Sequence, residues 1–280
     1  MKKLTATIAL IITLSSLLSA QVIHEFSVFS GGGLSALRYK LPHGDVSGKF
    51  GGEFGVGYYI GGTKIGVHTG IGLGFYGAET KLNNTETVTS DLRDSEDDRF
   101  DLHTNISGYN ETAKTMFLNI PVAAQFQTGL FYAMGGIKLG IPLNCKYESS
   151  VAALINEAYY PAWENWATTQ TFAGYGAFRD KNYNGNFDLA LNAALTLEAG
   201  INMSVGDNIV LYGGAYFDYG LSNVAKGDRL KFINYSANDA ENFTVNSALS
   251  SYSNDSNSTT FTDKVKVMAV GIKLRAAFRK

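Results

Sequence analysis

Apolar residues recur at every second position through most of this chain, and no stretch sustains the three-to-four-residue spacing of an amphipathic helix. That period commits the chain to strands with two unlike faces. The alternation predicts eight of them, over residues 26–39, 49–60, 63–77, 113–126, 130–143, 186–204, 209–222 and 263–278. Their connections alternate in length. Tight turns at Gly61-Gly62, Gln127-Thr128-Gly129 and Val205-Gly206-Asp207-Asn208 follow the second, fourth and sixth strands, while long polar segments follow the third, fifth and seventh. A soluble sandwich has no reason to sort its connections by length. An eight-stranded antiparallel transmembrane β-barrel, with short periplasmic turns and long outer loops, requires it.

A membrane barrel further demands that polar residues share one parity within each strand, because a Lys or Arg facing lipid at mid-depth costs about 2–4 kcal/mol. The strands obey. Ile65, Val67, Ile71, Leu73 and Phe75 share the lipid parity, as do Phe131, Ala133, Ile137, Leu139 and Ile141, and Met268, Val270, Ile272, Leu274 and Phe278. In "LALNAALTLEAGINMS" the residues Leu189, Leu191, Ala193, Leu195, Leu197, Ala199 and Ile201 face outward and Glu198 faces in, with Lys138 its expected partner. Lys264 and Lys266 share the lipid parity of the last strand and are placed at its outer end, beyond the apolar band. Aromatics near strand ends, Tyr58, Phe75, Phe126, Phe131, Phe217 and Tyr219, fit an interfacial belt.

The inward parity collects Glu53, Lys64, His68, Lys138, Glu198, Asp218, Lys273 and Arg275, three acids against four bases and a histidine. Near balance predicts a lumen ion-pair network. An eight-stranded barrel is only wide enough for side chains to fill it, so a plugged interior is expected over a conduction path. A narrow channel for small solutes is the alternative. His68 has no second His, Cys or acid at metal spacing beside it, which makes it a lumen residue and not a ligand.

Lys2 and Lys3, the apolar run from Leu4 to Leu18 and the small pair Ser19-Ala20 form a secretory signal peptide over residues 1–20, leaving 21–280 as one barrel domain. The single Cys145 excludes an intramolecular disulfide framework and any multi-Cys metal site, and a net charge of −2 without a basic run excludes nucleic acid as a partner. Three loop features bear on recognition. The acidic run Asp91, Asp94, Glu96, Asp97, Asp98 and Asp101, interrupted by Arg93 and Arg99, reads as a solvated loop, with cation gathering the alternative. Asp180, Asn182, Asn184 and Asp188 stand around Gly185 with the spacing that opens a calcium loop, although Leu191 occupies the place of the bidentate Glu. Tyr159, Tyr160, Trp163 and Trp166 are placed to cap the barrel mouth or pack on one another, with stacking on a glycan the alternative.

The stretches "GGGLSALRYKL", "GVHTGIGLGFYGAETKL", "MFLNIPVAAQFQ", "GGIKLGIPL", "NEAYYPAWENWA" and "GAYFDYGLSN" together resemble the uncharacterised outer-membrane β-barrel proteins of Bacteroides-type bacteria, a family similar to the small OmpA-type barrel. The resemblance covers nearly the whole mature chain. It implies a bacterial outer-membrane location and carries over no catalytic residues, and no cofactor is expected beyond the calcium that the spacing of the partial loop offers. In some members the barrel precedes a peptidoglycan-binding domain, which is not expected here. The apolar last strand and Phe278 resemble the C-terminal recognition signal of such barrels, implying the barrel assembly machinery as a partner alongside outer-membrane lipids. The expected function is non-enzymatic, an envelope role with loops that meet a surface glycan or protein ligand. An outer-membrane lipid-modifying enzyme is a third hypothesis, and His68 has no Ser partner at readable spacing to support it.

Overall fold

The computed structural model describes residues 22–41, 43–226, 229–254 and 259–280, so the signal peptide expected over 1–20 lies outside the described residues. Among these residues, long strands pair in a closed antiparallel ring. They are β1 (Ile23–Arg38), β2 (Gly44–Gly61), β3 (Ile65–Leu82), β4 (Arg99–Thr128), β5 (Phe131–Tyr160), β6 (Asn192–Val205), β7 (Ile209–Gly220) and β8 (Lys266–Arg279). Each pairs with its sequence neighbours, and β8 closes on β1 from Glu25 opposite Arg279 to Arg38 opposite Lys266. Closure removes the unpaired edge that a sheet would otherwise present.

Pleating then sends alternate side chains to the two faces. Outside, Phe26, Val28, Phe54, Val56, Ile71, Val122, Ile137, Leu139, Leu197, Val270, Ile272 and Leu274 are exposed, while the inward positions are buried and mostly polar or aromatic. A wall of that kind cannot face water and must face lipid. On β3 the band runs from Ile65 to Phe75, a length that matches the roughly 9–11 residues of a membrane-crossing strand. All three short turns sit at one end, near the paired termini, where Arg279 reaches Glu25 at 2.7 Å.

The segments expected as long outer loops turn out to be largely strand. β4 and β5 each run 30 residues, about 100 Å at roughly 3.3 Å per residue, far beyond the bilayer. Thr85–Arg93 pairs back on β4, and Gly176–Asn186 pairs on β5. This extension has its own core, in which Phe100, Leu102, Ile106, Leu154, Phe232 and Val245 are buried. The alternation was concealed by a change of phase. Gly108, at φ +64°, and the facing Ala152–Ala153 step each leave two successive outward residues, so inward positions switch from even (Phe100 to Ile106) to odd (Tyr109 to Phe117) along β4. A side chain at Gly108 would also meet the Ala152 Cβ at 2.8 Å.

Two strand boundaries are corrected. β6 starts at Asn192 and not at residue 186, and Leu189, expected on the lipid face, is 4% exposed in a cluster with Phe187 and Val265. Leu189 instead bridges Ala225 above the membrane band, where the chain is covered by the extension. β8 starts at Lys266, so Lys264 precedes it.

Candidate functional site

The inward side chains of the band meet in one charged layer. Lys138 on β5 donates to Asp218 on β7 at 2.6 Å and to Glu53 on β2 at 2.8 Å. Lys273 on β8 lies 2.5 Å from the other oxygen of Glu53 and 3.2 Å from Glu198 on β6. Glu198 in turn accepts from the Tyr132 hydroxyl at 2.7 Å. The short Lys273–Glu53 contact is an ion pair between two buried side chains. β2 and β5 are not neighbours in the ring, so the Lys138–Glu53 pair crosses the lumen.

Arg275 takes no acid. It donates to Gln125 Oε1 at 2.9 Å and lies over the Tyr212 ring at 4.1 Å, a cation–π contact. Below it, Glu25 accepts from Arg279 and from the Tyr212 hydroxyl, the latter at 2.9 Å. Tyr132 and Tyr212 have the inward parity expected of them, but neither they nor Glu25, Arg279 and Gln125 were among the residues expected in the ion-pair network. The glycine run of β1 blurred the face of Glu25, and an aromatic hydroxyl carries no charge signal in a sequence.

Of the expected set, Glu53, Lys138, Glu198, Asp218 and Lys273 are brought into contact, and Arg275 and His68 sit beside them. Lys64 does not join. It stands exposed in the turn between β2 and β3, where its carbonyl accepts from the Gln127 amide. Glu198 pairs with Lys273 and not with Lys138, because Glu198 is level with Met134 while Lys138 sits four residues further out on β5, level with Ala194, and reaches across the barrel instead. Both His68 ring nitrogens lack a hydrogen-bond partner, and Gly57 makes room for the ring, since a Cβ there would sit 2.6 Å from Nε2. The cavity among these side chains measures about 20 Å³, the scale of a single water.

The loop candidates separate. Asp180, Asn182 and Asn184 lie on the extended Gly176–Asn186 strand, and Asp188 beyond it pairs with Lys226 at 3.0 Å. Oxygens spread along a strand at roughly 3.3 Å per residue do not converge on one ion, so the calcium cage is not formed. Tyr159 and Tyr160 are successive strand residues and point to opposite faces. Tyr159 meets Trp166 at 4.9 Å, and Tyr160 stacks on Trp163 at 5.1 Å, so the expected cluster is two pairs. The second pair lines a cleft of about 380 Å³ with Asp94, Glu96, Phe172 and Tyr175. Burial, and then Asp94, push the Tyr160 hydroxyl up to about 12, so it donates to Asp94 at neutral pH. Arg93 and Arg99 neutralise part of the acidic run by pairing with Asp97 and Asp91.

No family model and no curated protein matches the sequence. Among solved structures the chain is similar to Ail, the attachment invasion locus protein of Yersinia pestis, at 12% identity, covering 92% of this chain and 99% of that one with a TM-score of 0.32. It is also similar to Neisserial surface protein A (9% identity, 91% and 97% covered, TM-score 0.32). A third is a major outer membrane protein from Thermus thermophilus (12% identity, 92% and 99% covered, TM-score 0.37). At such levels the closed ring, the apolar wall and the sorting of short turns from long extensions carry the assignment themselves.

Proposed function

We propose that this outer-membrane barrel is a closed, non-enzymatic envelope protein that presents its outer extension for surface contact, and that it belongs with the Bacteroides-type barrels it resembles. One observation carries the closed lumen. Lys138 joins β5 to β2 and β7 through two buried carboxylates, and the cavity beside them measures about 20 Å³. A network that spans the interior ties opposite walls together. His68, the lumen histidine, hydrogen-bonds to no hydroxyl or carboxylate, which favours a non-enzymatic role.

Planar-bilayer recording tests the reading. The purified barrel is expected to give no unitary conductance, and reproducible steps from folded protein would overturn it in favour of the solute channel. The cleft at Trp163 and Phe172, both exposed beside Asp94 and Glu96, supports an uncharged glycan as the surface ligand. Calorimetric titration with neutral oligosaccharides is expected to show binding that Trp163→Ala abolishes. Heats indifferent to that change would refute the assignment.

A further inference from the structure

At the outer edge of the lipid-facing band, β2 to β5 enclose a groove of about 420 Å³. Its floor is apolar, made by Phe50, Phe75 and Met116. Its rim carries three bases, Lys49, Lys114 and Lys146, against one acid, Glu148. The heights follow from register. Phe75 faces Met116, the next outward residues are Gly77 facing Lys114, and Lys114 faces Lys146. Gly77 offers no side chain, so the stem of Lys49 crosses above it; a Cβ there would lie 3.4 Å from Lys49 Cβ.

This arrangement is unfavourable by itself. Like charges directly opposite on neighbouring strands destabilise the pair. Lys114 finds Glu148 at 3.0 Å, and Lys49 finds Glu79 only at 3.8 Å. The same juxtaposition recurs at the rim between β1 and β8, where Arg38 faces Lys266. There Arg38 meets the Met268 sulfur at 4.0 Å, while Lys266 donates to the Tyr219 hydroxyl at 3.3 Å and lies 4.8 Å from its ring. Snorkelling explains single lysines at a membrane edge, whereas facing cation pairs call for an anion between them. The apolar floor directly beneath says that this anion carries acyl chains.

We propose that the groove binds a phosphorylated lipid of the outer leaflet, with an acyl chain along Phe50, Phe75 and Met116 and a phosphate held by Lys49, Lys114 and Lys146. The proposal rests on the orientation that puts the extension outside the cell, and not on whether the lumen conducts. The test is retention of lipid A by the full barrel in detergent, read by native mass spectrometry. Wild type is expected to hold phosphorylated lipid A, and Lys114→Gln with Lys146→Gln to weaken it about thirtyfold. Dephosphorylated lipid A should bind wild type as weakly as the phosphorylated form binds that variant, and inorganic phosphate should not displace the lipid. Lys181→Gln, on the exposed face of the extension, should bind as wild type does. Heat-modifiable gel mobility confirms that each variant is folded. Equal retention by the double variant, equal retention of the dephosphorylated lipid, displacement by inorganic phosphate, or an equal loss in Lys181→Gln would each overturn the proposal.

Discussion

Replacing Lys138 by Met removes one charge while keeping the length of the side chain. Glu53 would retain Lys273 at 2.5 Å, but Asp218 would lose the cation it holds at 2.6 Å, and its other oxygen is already without a hydrogen bond. Asp218 is 3% exposed, so water cannot replace the lost partner. Stranding one member of such a buried pair costs about 3–5 kcal/mol. Asp218→Asn alone leaves three cations, Lys138, Lys273 and Arg275, against two acids, and should cost somewhat less. In the double variant Glu53 and Glu198 balance Lys273 and Arg275, so most of the loss should return as a coupling of about 2–3 kcal/mol. The assay must report the barrel itself. Both tryptophans, Trp163 and Trp166, lie in the extension, so their fluorescence is blind to the lumen. Heat-modifiable gel mobility across a urea series reads the barrel directly. Equal midpoints for Lys138→Met and wild type, or strictly additive losses in the double variant, would refute the view that these charges act as one network.

Glu111 gives a pH dependence located in the extension. Burial raises its carboxyl above the usual range, against hydrogen bonds from Tyr109, Ser247 and the Ala248 amide. The folded state therefore holds this proton more tightly than the unfolded chain, so stability falls as pH rises from the unfolded value, about 4.3, through the folded one. Glu111→Gln keeps the acceptor and should flatten that slope, as measured by urea unfolding followed through tryptophan fluorescence; an unchanged slope would remove Glu111 as its source. Phe100, fully buried against Tyr160, Tyr175 and Tyr235, should cost the extension about 3–5 kcal/mol when truncated to Ala. Fluorescence should report that loss while the gel-mobility midpoint of the barrel stays put, and a joint shift of the two would mean that they unfold as one unit.

The barrel was legible because its signal is geometric and local. Period-two alternation and turn chemistry survive any tertiary context, and they located Glu53, Lys138, Glu198, Asp218 and Lys273 on the inner face. The pairing among them was not legible. Lys138 chose Glu53 and Asp218 over the adjacent Glu198 because its height along β5 decides which acids it reaches, and height depends on the stagger of strands distant in sequence. The extension was hidden for a different reason. Many of its outward positions are polar, among them Asp101, Asn105, Ser107, Asn110, Glu148 and Glu157, so its average polarity is that of a loop, and the phase change at Gly108 broke the alternation that would have given it away.

Charge is sorted by depth in a way that a net value of −2 conceals. On the inner face Glu25, Glu53, Glu198 and Asp218 stand against Lys138, Lys273, Arg275 and Arg279, four against four. At the outer rim Arg38, Lys49, Lys114, Lys146 and Lys266 outnumber Glu79 and Glu148. At the far tip the balance reverses, with Asp91, Asp94, Glu96, Asp97, Asp98 and Asp101 against Arg93 and Arg99. The basic rim is invisible as a sequence run because its members come from five strands, each contributing one residue where the strand leaves the lipid. Lumen neutrality is a condition of folding and would hold in any barrel this narrow. Facing cations at the rim weaken the ring they sit on, and two acids against five cations offset that only in part, which leaves the charge that the proposed lipid phosphate would supply.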